Sequence, residues 1–104
     1  MNINALVLYT NGKYAEIVIR RLEDYQKIVK GNIEWVPTVN DANVTCYVNE
    51  EGGCKGLPRN PWSPFLKGVG VILYSGVHVL GNIILLGKVT EGGDDTSIGR
   101  SIVE

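Results

Sequence analysis

Asn11-Gly12 stands between two short runs of apolar and β-branched residues, Ala5 to Tyr9 and Tyr14 to Arg20. No other local feature constrains the chain so strongly. Asn-Gly supplies the positive φ angles that a tight hairpin turn demands, so Thr10-Asn11-Gly12-Lys13 predicts two antiparallel strands side by side. A sheet therefore begins within the first twenty residues.

The period then changes. Leu22, Tyr25, Ile28 and Val29 recur at helical spacing, which predicts one short helix over Leu22 to Lys30, with Gly31 placed for a left-handed cap. At two to three turns it must be held by packing against the sheet. Ile33 to Val39 and Val44 to Val48 alternate around the turn residues 40–43, which predicts a second hairpin. Asn49 to Phe65 carries three Gly and three Pro and is predicted as one long constrained loop without regular structure. Val69 to Tyr74 and Asn82 to Val89 read as further strands, with Val77 to Leu80 as a possible short extra one between them. The polar, Gly-rich residues 91–104 are expected to be a tail that is mobile at its end.

These elements predict an α+β fold: a mostly antiparallel sheet of about six strands, one short helix on one face, and the long loop folded over an edge or end. Ile83 to Leu86 and Val69 to Leu73 are apolar on both faces. Such strands need cover on each side, either beneath the loop or in a homodimer burying part of Val69 to Val89.

At 104 residues the chain is read as one domain, 1–104. Ten Lys and Arg against eleven Asp and Glu give a net charge of −1, which removes the bulk attraction to phosphate backbones typical of nucleic-acid binders. The amino terminus lacks a basic run before its apolar stretch, and glycine and polar residues interrupt Val69 to Val89. The expectation is no signal peptide, no membrane span, a cytoplasmic protein, and reduced Cys46 and Cys54.

Catalytic constellations are missing from the sequence pattern. His78 stands alone among valines without a nucleophile motif, and is read as a partly buried histidine. Cys46, Cys54 and one histidine cannot close a tetrahedral zinc site. Asp94-Asp95 and Glu50-Glu51 read as solvated turn charges, and no phosphate-binding or dinucleotide-binding glycine motif occurs. The chain is therefore expected to be no enzyme, with no metal and no cofactor. The loop is different: Asn49, Lys55, Arg59, Asn60, Trp62 and Phe65 could form a site for a small anionic or nucleotide ligand, with cations for phosphate, amides for base edges and a ring for stacking. Equally, Asn49 and Asn60 could bond loop backbone while Leu57, Trp62 and Phe65 plug the core.

Gly31-x-Ile33-Glu34-x-Val36, Tyr47-Val48-Asn49-Glu50-Glu51-Gly52 with Gly56-Leu57-Pro58-x-Asn60-Pro61, and Leu80-Gly81-Asn82-x-x-Leu85-Leu86-Gly87 together resemble domain-of-unknown-function family 3846. The resemblance runs from the helix to about Thr96, and at Gly53-Cys54 the chain departs from the apolar or basic residues commoner there. It implies a small phage or plasmid protein acting inside a microbial cell, and brings no activity with it. Two readings follow. The first is a non-catalytic viral or mobile-element accessory protein that uses the loop and adjoining sheet edge to bind a host protein or its own copy. The second is a sponge that holds a nucleotide or other small anion and so counters host defence.

Overall fold

A computed structural model describes residues 2–40, 42–73 and 78–99. The first hairpin forms as its turn dictates: β1 (Ile3–Leu8) pairs with β2 (Tyr14–Ile19), Ile3 opposite Ile19 and Leu8 opposite Tyr14. Gly12 takes φ 85° in the turn, where the Tyr9 N–H donates to the Lys13 carbonyl at 2.9 Å. Helix α1 (Leu22–Val29) follows. Asp24 begins it, its Oδ2 accepting the Arg20 and Arg21 N–H groups at 2.8 and 3.2 Å, donors that a helix start would otherwise leave unpaired. The Arg20 backbone bond, chief among the influences on this carboxyl, helps hold it below its ordinary range. Tyr25 and Val29 are the buried residues of this helix, whereas Leu22, predicted on the same face, is 52% exposed.

β3 (Ile33–Val36) and β4 (Val44–Asn49) form the second hairpin. β3 stops before Pro37, which has no N–H to continue the ladder. The last strand, β5 (Ile83–Gly87), inserts between β1 and β4, so the sheet is antiparallel throughout in the order β2-β1-β5-β4-β3. Every residue of β5 is buried, as its unbroken apolar run requires at the centre of a covered sheet. Each of its Ile and Leu side chains contributes about 1.5–3 kcal/mol by leaving water.

The fold is α+β with a five-stranded antiparallel sheet, and two differences from expectation explain how its second face is covered. The first is a second helix, α2 (Ser63–Gly68), inside what reads as irregular loop. Pro64 lies in its first turn, where the missing N–H costs no hydrogen bond, so this proline starts a helix rather than breaking one. The second concerns Val69 to Tyr74: in its described residues, 69–73, only Val71 bridges, to Thr38, and Gly70 turns the chain with φ 100°. Of Val77 to Leu80, the described part carries one bridge, Leu80 to Arg59. Residues 74–77 lie outside the described residues.

The core has two layers divided by the sheet. On one face Tyr25 and Val29 of α1 pack with Ile3, Ala5, Ile19, Ile84 and Leu86. On the other, Leu66 of α2 with Val71, Val79 and Ile98 covers Leu6, Leu8, Cys46, Ile83 and Leu85. Strand β5, apolar on both faces, thus finds cover within the chain, whereas in the Val69 to Leu73 stretch Ile72 stays 48% exposed. Within the expected tail 91–104, residues 95–98 are tied back to the body, with Ile98 buried; the expected mobility of the end falls on residues 100–104, outside the described residues. Among the described residues no helix is long and apolar enough to cross a membrane.

Candidate functional site

The six loop residues separate into two groups on opposite sides of the sheet. Asn49 and Lys55 belong to the carboxyl end of α1. A helix leaves its last carbonyls without partners, and here three side chains supply them. Asn82 Nδ2 donates to the Ile28 carbonyl at 2.9 Å, Asn49 Nδ2 to that of Val29 at 2.8 Å, and Lys55 Nζ to that of Lys30 at 3.1 Å. Asn49 Oδ1 also accepts the Glu51 N–H at 2.7 Å, which turns the chain out of β4. The left-handed cap is Lys30, φ 64°, one residue before the predicted Gly31. A Cβ at Gly31 would lie 2.8 Å from Asn49 Nδ2 and against Lys55 Nζ, so both side chains would have to shift to admit one.

Asn60 anchors the other group and is fully buried. Its Nδ2 donates to the carbonyls of Leu8 and Gly81 at 2.8 and 2.9 Å, and its Oδ1 accepts the Trp62 N–H at 2.9 Å. Its own carbonyl accepts Ser63 Oγ at 2.8 Å, and that oxygen accepts the Val79 N–H at 2.9 Å. One amide thus holds the loop to the end of β1 and the approach to β5. Trp62 is half-buried: Nε1 donates to the Lys13 carbonyl at 3.3 Å, and its ring stands edge-to-face with Tyr14 and Phe65, both at 5.8 Å. Phe65 packs on the α2 side of the core. Arg59 is exposed, its backbone bridged to Leu80.

The resulting surface is a ladder, Tyr14-Trp62-Phe65, against the outer strand β2. Tyr14 is 60% and Val18 44% exposed. Among the described residues every buried side-chain nitrogen or oxygen has a hydrogen-bond partner. A separate open groove of about 260 Å³ lies beside β3 and β4, lined by Glu34, Val36, Asn49, Glu50, Leu73 and Val79 among others. Its described lining includes two glutamates and no lysine or arginine, a charge opposite to that wanted by an anion.

Other candidates fall into place individually. His78 is exposed, against the expectation of partial burial. Cys46 is buried, which pushes its thiol up to about 12 and keeps it protonated; Cys54 is exposed, and both are free. Asp95 corrects the reading of Asp94-Asp95 as solvated charges. It is half-buried and accepts hydrogen bonds from the hydroxyls of Tyr25 at 2.7 Å and Tyr47 at 2.9 Å, whose rings stand edge-to-face at 5.6 Å. Burial, reinforced by the bonds to Asp95, pushes the Tyr47 hydroxyl up to about 12 and that of Tyr25 higher still. Neither this cluster nor the role of Asn82 has a signal in sequence, because the partners lie 48 to 72 residues apart.

The family model described as Domain of unknown function (DUF3846) matches residues 3–104, and the chain belongs to that family. Neither a curated protein nor a solved structure matches it.

Proposed function

We propose that this DUF3846 member is a non-catalytic accessory protein of a virus or mobile element, acting in the host cytoplasm, and that it binds a protein through the Trp62 ladder and adjoining strand β2. The partner is a host protein or a further copy of the chain. The observation that carries this reading is the half-exposed ladder of Tyr14, Trp62 and Phe65 beside exposed Val18. Aromatic rings concentrate binding energy at protein interfaces because they present large area with few rotatable bonds. Trp62 is already held by its bond to Lys13, so ordering it costs little further entropy on binding.

The sponge reading has less support. It needs amides and cations converging on one ligand, whereas Asn49, Lys55 and Asn60 are engaged with backbone carbonyls at separate places.

Capture from host lysate, followed by mass spectrometry of proteins and released small molecules, identifies the binding species. Isothermal titration with that species then decides. Tyr14→Ala with Val18→Ala should weaken binding more than tenfold while the fold is retained. If those changes are silent and Lys55→Ala with Arg59→Ala abolishes binding, the surface is the loop's cationic side and the protein-binding reading fails.

A further inference from the structure

After β5 the chain reverses through an exposed turn and lies back against the body. Within the turn the Thr90 N–H donates to the Asp94 carbonyl at 3.0 Å and the Gly93 N–H to that of Thr90 at 2.9 Å. Residues 95–98 are then held by a few contacts of distinct chemistry. Asp95 receives the two tyrosine hydroxyls, from α1 and from β4. The Gly87 N–H donates to the Thr96 carbonyl at 2.9 Å, Thr96 Oγ1 to the Lys88 carbonyl at 2.7 Å, the Asn4 N–H to Ser97 Oγ at 2.9 Å, and the Ile98 N–H to the Asn4 carbonyl at 2.8 Å. Ile98 enters the α2-side core. The approach is close enough to require glycine at 87, where a Cβ would overlap the Ser97 carbonyl.

This segment has the form of a bound peptide: a carboxylate for two phenols, an aliphatic side chain for an apolar slot, and main-chain bonds to the side of β1 that β5 has left. Yet 91–94, which join it to the sheet, are exposed and include two glycines. We propose that residues 95–98 are a detachable strap, and that the site beneath them accepts the same segment from a second copy of this chain. Each strap contact is identical whether made within a chain or between chains, so the turn alone sets the balance. Local opening of a segment with so few anchors needs no unfolding of the sheet. The strap's hydrogen bonds involve no residue of the Trp62 ladder; Ile98 alone shares a core cluster with Trp62 and Phe65.

Removing Gly92 and Gly93 shortens the turn and takes away the positive φ of Gly93 on which the reversal turns, which disfavours return of the strap onto its own chain while leaving strap and site intact. Light scattering on this full-length variant should give twice the single-chain mass of 11.4 kDa, and adding Ile98→Asp should return it to one chain. A shortened chain that stays single, or a dimer that survives Ile98→Asp, overturns exchange. A measurement in trans covers failure of that variant to fold. A fluorescent peptide of residues 88–99 should bind the full chain carrying Ile98→Asp at least tenfold more tightly than the unchanged chain, whose own strap competes. Equal affinity for both chains, or no binding to either, overturns the site.

Discussion

The two halves of the segment joining β4 to α2 contain similar residues and do different work. In the first, Asn49 at the end of β4 and the exposed Lys55 complete the carboxyl end of α1, so their polar groups are engaged by a neighbour's carbonyls. In the second, Asn60 is buried and its bonds push the chain outward, leaving Trp62 and Tyr14 partly in solvent. Amides that look like ligand readers are here the supports, and the ring that looks like a core plug faces partly outward. Exposure follows from which carbonyls lie within reach, and residue type alone does not report that.

The comparison breaks most readily at Asn60. Replacing it with alanine removes the amide that bonds the Leu8 and Gly81 carbonyls and the Trp62 N–H, and each buried group left unsatisfied costs about 1–3 kcal/mol. We expect a total loss of roughly 3–5 kcal/mol in urea unfolding, reflecting partial relaxation; a loss below about 1 kcal/mol would mean the loop stands without its staple.

Trp62→Ala should cost roughly 2 kcal/mol, about half the value for a fully buried ring. A full-core loss would show that the ladder is interior and remove the basis for the proposed binding surface.

The tyrosine pair sharpens the contrast through pH. The hydroxyls of Tyr25 and Tyr47 hold their protons more tightly in the folded chain than at the ordinary value of 10.0. Their contribution is therefore complete below pH 10 and is lost as pH rises toward about 12 for Tyr47. Tyr47→Phe should cost about 1.5 kcal/mol at neutral pH, in the range for a hydrogen bond to a charged group. It should also flatten the alkaline fall in thermal midpoint; an unchanged alkaline profile would mean that the pair does not hold Asp95.

The smallest effect belongs to the first half of the loop. Lys55→Ala with Arg59→Ala should move stability by no more than about 1 kcal/mol, because both side chains are exposed. A larger loss would place the Lys55 bond to α1 among the principal supports.

Local signals carried the fold a long way. Asn11-Gly12 specified the first hairpin, the Tyr25 and Val29 spacing specified α1, and the alternation around residues 40–43 specified the second hairpin. Helix α2 was legible in principle from Pro64, but a proline read as a breaker conceals a helix that it begins. The candidate site was legible only as a set of residue types. Trp62 and Asn60 stand out by residue type, whereas the roles of Tyr14, Asn82 and Asp95 depend on partners far away in the chain.

By itself the sequence determined period, turn and charge: two hairpins, a short helix, a near-neutral surface, and membership of one family. These depend on neighbours a few residues apart, for which φ preferences and side-chain alternation suffice. Only the tertiary structure decided that β5 is central, that α2 covers the second face, and that the loop asparagines bind carbonyls. An amide can satisfy a ligand or a helix end equally well, and which one it meets is settled by the backbone that the completed sheet brings within about 3 Å.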